Sequence, residues 1–320
     1  MIYIVIPCYN EQEVLEDTTD KLAALVARMP DEQVRILYAD DGSRDATWSL
    51  ICRMHDRYPM VEGIRLAHNE GHQKALWAGM EAASTQAEAI ISIDADLQDD
   101  IEVIPRMVKD FRQGADIVYG VRRERDTDTA FKRMTALAFY RFMNTLGSHI
   151  VYNHADFRLL SRRALLALLS YPERNLFLRG MVPMLGFNEQ TEYYDRLERT
   201  AGESKYPLSR MVALAMDGIT SLSVKPLRWI GMAGACSLLV ATGVIVWALM
   251  QHAAGHTITG WTSLLVSVWL MGGLLLVAIS VLGEYLGKVY QEVKRRPHYF
   301  IMDSVGRDEP EDTPPSDSRH

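Results

Sequence analysis

From Met1 to about Gly120, short apolar runs rich in β-branched residues alternate with longer stretches of mixed apolar and charged positions. The runs IYIVI, VRILYAD, VEGIRLA, AIISID and ADIVYG have the length and composition of strands. Between them, Glu11–Arg28, Ala46–Arg57, His72–Thr85 and Ile101–Arg112 have helical length, with apolar and charged positions on different faces. Such a βαβ succession predicts an α/β fold, a mostly parallel sheet with helices on both faces. Sheets of this kind bind ligands beyond the carboxyl ends of their strands. The polar clusters PCYNEQE, DDGSRD, AHNEGHQK and DADLQDD follow the first four strands at those ends.

Past Gly120 the pattern becomes basic and helical. Phe131, Met134, Ala138 and Phe142 share one face, with Lys132, Arg133 and Arg141 around it; Leu208 to Leu222 repeats the design. Both are expected to be amphipathic helices, lying in a membrane interface or packed on the sheet. Trp229–Met250 and Thr262–Gly283 contain no Asp, Glu, Lys or Arg. Each is long enough to cross the roughly 30 Å hydrocarbon layer as a helix, so two transmembrane helices are expected. Lys225 and Arg228 precede the first, Lys288, Lys294, Arg295 and Arg296 follow the second, and Gln251–Gly260 has no Lys or Arg. This asymmetry places both flanks in the cytoplasm. Gly231 with Gly234, or Gly272 with Gly273, offers small-residue surfaces for a homo-oligomer.

Charge and cysteine content change this picture little. The formal charge of −7 is concentrated in the segment from Asp303 to His320, where six acids face Arg307 and Arg319; the acidic, Pro- and Ser-rich end is expected to be disordered. Nothing in the charge distribution points to nucleic acid. Cys8, Cys52 and Cys236 lie far apart with no CxxC pair, as in a reduced compartment, and MIYIVIPCYNEQ lacks the basic start and long apolar run of a signal peptide. The absence of GxGxxG after the first strand and of GxxxxGK[ST] anywhere argues against a dinucleotide oxidoreductase and a P-loop NTPase.

The chemistry begins at Asp94-Ala95-Asp96-Leu97-Gln98, which ends an apolar run. Strand geometry would aim Asp94, Asp96 and Gln98 to one side. Oxygen donors of this kind suit Mg²⁺ or Mn²⁺ held by one or two carboxylates and completed by diphosphate oxygens and water.

Taken together, IPCYNE at Ile6–Glu11, DDGSRD at Asp40–Asp45, NEGHQKALWAG at Asn69–Gly79 and DADLQD at Asp94–Asp99 resemble the family 2 glycosyltransferases of the GT-A fold. HADFRLLSR at His154–Arg162, RTAGESKYPL at Arg199–Leu208 and GEYLGKVYQEVKRRP at Gly283–Pro297 look like the polyprenyl-phosphate glycosyltransferases, among them bactoprenol glucosyltransferases and dolichol-phosphate mannose synthases. The resemblance implies that Pro7, Tyr9, Glu11 and Asp41 hold the nucleoside of a nucleotide sugar, with Asp40 supporting them. It further implies that Asp94 contacts the donor, that Asp96 and Gln98 ligate the metal beside it, and that Lys74 steadies a phosphate or sugar hydroxyl. Asp156 matches a position discussed as a catalytic base. A phosphate monoester with a second pKa of about 6 is already largely anionic at neutral pH, so orienting the sugar or an Arg is the other role open to it. Arg122, Arg133, Arg199 and Lys205 would bind the acceptor phosphate, or anionic lipid headgroups.

The expected organisation is a cytoplasmic catalytic domain over residues 1–206, a juxtamembrane amphipathic helix over 207–228, spans at 229–250 and 262–283, a basic cytoplasmic segment over 284–302 and an acidic disordered tail over 303–320. The expected reaction is inverting transfer of glucose from UDP-glucose to undecaprenyl phosphate at the cytoplasmic face of the inner or plasma membrane. A GDP-mannose-dependent polyprenyl-phosphate mannosyltransferase is the alternative. A processive polysaccharide synthase fits less well, because KPLRW at Lys225–Trp229 lacks the Gln of QxxRW and there are too few spans for an export channel.

Overall fold

The computed structural model describes residues 1–122, 154–195, 225–253 and 260–307. The first of these stretches follows the predicted alternation: β1 (Ile2–Cys8), α1 (Leu15–Ala27), β2 (Val34–Asp40), α2 (Thr47–Arg57), β3 (Val61–Leu66), α3 (His72–Ala83), β4 (Ala89–Ser92), α4 (Ile104–Arg112) and β5 (Ile117–Arg122). A single 3-10 turn at Ile101–Val103 leads into α4, opened by Asp100, whose carboxylate accepts the Glu102 N–H at 2.9 Å. After it come β6 (His154–Ser161), α5 (Arg162–Leu169), α6 (Leu178–Met184) and β7 (Glu189–Tyr194), then α7 (Lys225–Ala253), α8 (Trp261–Lys294) and β8 (Ile301–Val305). Ser161 ends β6 and caps α5 through its hydroxyl, which accepts the Ala164 N–H at 3.2 Å. The two amphipathic helices expected around Phe131–Phe142 and Leu208–Leu222 lie outside the described residues.

The strands form one sheet in the order β7-β5-β6-β4-β1-β2-β3-β8. The pairs β1–β2, β1–β4, β2–β3 and β5–β7 are parallel, whereas β6 runs antiparallel between β4 and β5, and β8 runs antiparallel to β3. The sheet is therefore mixed, more so than the predicted mostly parallel one. Strand direction leaves no trace in the two-residue periodicity from which strands are read.

The pleat of β1 divides the core. Ile2, Ile4, Ile6 and Cys8 pack with Leu22 and Leu25 of α1, Ile51 and Met54 of α2, and Met107 of α4. Tyr3 and Val5 point the other way, toward Leu76 and Met80 of α3, Leu165 of α5 and Met181 of α6. Helices thus cover both faces. Helix α3 approaches β1 so closely that a Cβ at Gly79 would lie 2.4 Å from Val5 Cγ1.

The eighth strand corrects the expected order of segments. Residues 303–305 belong to β8, so the tail expected to be disordered from 303 onward begins inside the sheet. The acidic composition misled because the partners are distant in sequence. Asp303 faces Arg65 at 3.7 Å, and the Ala67 N–H donates to the Phe300 carbonyl at 2.9 Å. Arg307 pairs with buried Glu62 at 2.7 Å, donates to the Ala82 carbonyl and lies over the Tyr3 ring. The segment following α8 is a strap on the same domain that opens the chain.

Of the described residues, 225–253 and 260–295 belong to a second compact unit. Its two long helices, α7 of 29 residues and α8 of 34, contain the expected spans 229–250 and 262–283. Among the described residues, one stretch, Met271–Lys294, is long and apolar enough to cross a membrane, with a mean hydropathy of 1.5. Leu274, Leu275, Leu276 and Val277 are all exposed there, an apolar surface on every side of the helix.

Replacing Arg307 by Ala should destabilise the domain by about 3 kcal/mol, the lower end for breaking a buried ion pair, because Glu62 keeps Arg35. Urea unfolding of the full chain in detergent, compared with wild type, measures this; an unchanged midpoint would mean that the strap contributes nothing.

Candidate active site

At the carboxyl edge of the sheet, the turns after β1 and β2 are sewn together by hydrogen bonds. Asn10, with a left-handed φ of 56°, donates its N–H to Ser43 Oγ at 2.9 Å and accepts the Arg44 N–H on its side chain at 2.9 Å. The Glu11 N–H reaches Thr47 Oγ1 at 2.9 Å, and Gln12 Oε1 accepts the Ala46 N–H at 3.0 Å. Gly42, with φ 68°, packs against the next loop so tightly that a Cβ would meet the His68 carbonyl carbon at 2.7 Å.

Asp40 and Asp41 are buried in this seam. Asp40 accepts the Ser43 N–H at 3.1 Å and the Ser43 hydroxyl, with Arg65 Nε at 3.5 Å. Asp41 accepts the backbone N–H groups of Glu70 at 2.7 Å and Gly71 at 2.9 Å, while its own N–H donates to the Cys8 carbonyl at 2.9 Å. Burial raises both carboxyls above their ordinary range despite these donors. Asp41 therefore ties together the ends of three strands. Pro7 is likewise buried within β1, so of the expected nucleoside set Tyr9 and Glu11 are the side chains reaching the surface.

The acidic motif differs from its predicted geometry. Strand β4 stops at Ser92, and Asp94 to Leu97 form a turn closed by the Leu97 N–H on the Asp94 carbonyl at 3.3 Å, with Leu97 at φ 44°. Strand alternation therefore does not align Asp94, Asp96 and Gln98. Within the turn the Gln98 N–H donates to Asp96 Oδ1 at 3.3 Å, and the Thr18 hydroxyl of α1 holds the Ala95 carbonyl at 2.7 Å. Its far end is fixed by buried Asp99, which accepts from Arg122 Nη2 at 2.8 Å and the Tyr194 hydroxyl at 2.6 Å. Arg122, expected at the acceptor phosphate, is thus already paired within the domain. Lys74 is paired too, with Glu70 at 2.5 Å. Arg133, Arg199 and Lys205 lie outside the described residues.

Strand β6 runs beside β4 and brings Asp156 next to the acidic turn. Asp156 is 4% exposed and receives Arg158 Nη2 at 2.5 Å, Arg179 Nε and Nη2 at 3.3 and 3.2 Å, and Gln73 Nε2 at 3.4 Å. His72 Nε2 lies 3.3 Å from Asp156 Oδ2 and 3.7 Å from Asp94 Oδ1, spanning the two carboxylates. Sequence reading singled out neither His72, Gln73, Arg158, Arg179 nor Tyr194. Asp156 and Arg158, two apart in one strand, share a face, and that spacing was the available signal.

The two carboxyls are driven apart. Burial and the charges of Asp156, Asp99 and Asp96 push Asp94 up to about 6, although His72 opposes them. Burial also works against the Asp156 anion, but the His72 hydrogen bond and the Arg158 and Arg179 charges prevail and hold it well below the usual carboxylate range. His72 is raised: burial disfavours its cation, and the carboxylates outweigh it. Asp156 is therefore an ionised anchor, a poor proton acceptor at neutral pH. The turn fits a divalent cation in its donor chemistry, with hard oxygens and a local excess of negative charge. Among the described residues, no group of three or more His, Cys, Asp or Glu is arranged to hold a metal by itself.

Residues 3–169 match the model of glycosyl transferase family 2, and the chain belongs to that family. It is an enzyme of glycosyl transfer. Of its curated relatives, the uncharacterized glycosyltransferase YkoT of Bacillus subtilis (strain 168) is 49% identical, covering 94% of this chain and 91% of its own. The SfII prophage-derived bactoprenol glucosyl transferase of Shigella flexneri is 40% identical, covering 95% and 98% respectively. A solved glucosyl-3-phosphoglycerate synthase from Mycobacterium tuberculosis, in complex with Mn²⁺, UDP and phosphoglyceric acid, is 20% identical over 69% of this chain and 77% of that one, at a TM-score of 0.47.

Replacing Asp156 by Asn would leave Arg158 buried without its counter-charge and should cost about 3 to 5 kcal/mol. The native carboxyl titrates below its unfolded value of about 4, so this contribution is complete above about pH 5 and is lost as the pH falls through the depressed native pKa. Urea unfolding of both proteins should give a gap that widens somewhat between about pH 7 and 5, as His72 and Asp94, both raised partly by Asp156, take up protons in the wild type, and that narrows again near pH 3; a gap still widening below about pH 4 would contradict the assignment.

Proposed function

We propose that the protein transfers a hexose, glucose from UDP-glucose, to undecaprenyl phosphate at the cytoplasmic membrane face, with inversion at the anomeric carbon. The observation that carries this reading is the 40% identity to a bactoprenol glucosyl transferase, along nearly the whole of both chains. The acidic turn at the carboxyl edge of the sheet agrees with it.

In this scheme Tyr9 and Glu11 hold the nucleoside, on turns braced by Pro7, Asp40 and Asp41. Asp94 faces the sugar, and Asp94, Asp96 and Gln98 hold Mg²⁺ or Mn²⁺. The cation would offset the charge gathering on the departing nucleoside diphosphate. An oxygen of the lipid phosphate forms the new bond to the anomeric carbon as the bond to the diphosphate oxygen breaks on the opposite face. The acceptor arrives largely anionic, so no residue has to remove a proton. Asp156 serves by position, fixing His72 and Arg179 beside Asp94. Lys74 steadies the donor from the start of α3. Arg122 acts through Asp99 on the turn, or on the acceptor phosphate if that pair opens, while Arg133, Arg199 and Lys205 supply further cations for the phosphate.

The membrane attachment follows from the acceptor, whose isoprenoid chain keeps its phosphate at the bilayer surface. Helices α7 and α8 span the membrane at 229–250 and 262–283, with the catalytic domain and both termini in the cytoplasm; residues 207–228 and 284–302 flank the spans. The basic flanks and the uncharged link support this orientation.

The test uses the full chain in detergent with Mn²⁺ and undecaprenyl phosphate, offering radiolabelled UDP-glucose, UDP-galactose and GDP-mannose in turn. Label should pass into the organic phase from UDP-glucose, depend on the metal, and fall at least about a hundredfold in Asp96→Asn, the scale of losing a main electrostatic contributor. Label from GDP-mannose alone would make the protein a mannosyltransferase. Label in a water-soluble polymer would make it a synthase.

A further inference from the structure

Strand β7 buries a single side chain. From Glu189 to Tyr193 its residues are exposed or half-exposed, and Tyr194, 2% exposed, is the exception. Tyr194 is in parallel register with Arg122, the last residue of β5, and paired positions in adjacent strands present their side chains to the same face. Both reach the carboxylate of Asp99, itself 1% exposed. The Tyr194 hydroxyl donates to Asp99 Oδ1 at 2.6 Å, and Arg122 donates to that same oxygen from Nε at 3.0 Å and Nη2 at 2.8 Å. Arg122 Nε also lies 3.3 Å from the Tyr194 hydroxyl, and the Tyr194 ring packs edge-on against Phe157 with centroids 5.5 Å apart.

Three donations converge on one oxygen, while Asp99 Oδ2 is buried with no hydrogen-bond partner among the described residues. A pair placed for stability would fork onto both oxygens, and a buried acceptor left unmade works against folding. The arrangement instead fixes the direction of the carboxylate, and with it the end of the acidic turn, since Asp99 adjoins Gln98. At the other side of that turn the Thr18 hydroxyl holds the Ala95 carbonyl at 2.7 Å. Between the two moorings Leu97 has φ 44°, a left-handed conformation that a residue with a side chain keeps only where its surroundings impose it. Asp96 and Gln98 flank Leu97, so the way they are offered depends on both moorings. Helix α1 supplies one; β5 and β7 supply the other through Asp99.

We infer that Asp99 is a positioning residue for a divalent cation at the acidic turn, with Tyr194 and Arg122 as the groups that aim it. The inference rests on the proposed function for the cation held by Asp94, Asp96 and Gln98. It gives Arg122 a place in the site that requires no contact with the acceptor phosphate.

The experiment takes the full chain in detergent as wild type, Tyr194→Phe and Asp99→Asn. Binding of Mn²⁺ in the presence of UDP is followed by electron paramagnetic resonance, which counts free Mn²⁺ and requires no turnover, beside the urea midpoint and the transfer rate at rising Mn²⁺. Tyr194→Phe loses one hydroxyl and keeps its ring against Phe157. Its Mn²⁺ affinity should weaken about tenfold, the low end for residues that orient metal ligands. Its transfer rate at low Mn²⁺ should recover as Mn²⁺ is raised, with the apparent KM for undecaprenyl phosphate within about twofold of wild type. Asp99→Asn should weaken Mn²⁺ binding further. A tyrosine that only packs would lower the urea midpoint and leave Mn²⁺ affinity unchanged; that result in Tyr194→Phe would overturn the inference, whether or not Asp99→Asn folds. A raised acceptor KM with unchanged Mn²⁺ affinity would overturn it too, moving the three residues to the lipid phosphate. If wild type binds Mn²⁺ with UDP but transfers no sugar to the lipid, the reaction proposed above fails and the binding comparison still decides the inference. A wild type that binds no Mn²⁺ would remove its premise and overturn it.

Discussion

A carboxylate with almost no water around it has to be surrounded by donors, and at Asp156 those donors come from three different parts of the chain. Arg158 lies two residues along the same strand, His72 and Gln73 open α3, and Arg179 belongs to α6. Losing Arg158, the enclosed counter-charge, would leave the carboxylate buried without its closest partner. The packing of α3 against β1, the antiparallel insertion of β6 and the placement of α6 therefore all converge on one ion. The acidic turn is attached to the same centre through His72. Its geometry is set by charge as much as by the apolar layers beneath it.

The division of labour among the acids at this edge follows from how each is satisfied. Asp40 and Asp41 are occupied by backbone and hydroxyl donors and hold loops. Asp99 is occupied by Arg122 and Tyr194 and holds the end of the turn. Asp94, pushed up to about 6 by burial and the neighbouring carboxylates, shares only His72 with Asp156 among the described residues. Residues of one chemical type, within one sheet edge, are thus set apart by their neighbours alone.

Much of this was legible in the sequence, for identifiable reasons. Strands β1 to β5 and helices α1 to α4 announce themselves because each buries one apolar face, and the motifs at their ends mark where the ligand edge must be. Strand β7, EQTEYY, has no apolar run to give it away, since most of it is exposed at the sheet margin. Strand β8 was hidden in a segment whose charges looked like those of a solvated tail until Arg65 and Glu62 supplied the partners. The turn at Asp94 was misread as strand because an apolar run gives no sign of where its hydrogen-bond ladder stops. His72, Gln73 and Arg179 escaped notice because nothing in their spacing relates them to Asp156; only the fold does.

The strap formed by β8 gives the second unit an unusual topological status. Because the chain returns to pair with β3 after α8, the long helices are an excursion with both ends rooted in the same domain, and the catalytic sheet is finished only by residues that follow them. Strand β3, which runs on into the loop that Asp41 clamps, thus gains its outer partner last in the order of synthesis. A chain emerging from the ribosome cannot complete this sheet until both long helices have been synthesised. Cutting the protein before the helices would therefore remove a strand from the sheet along with them.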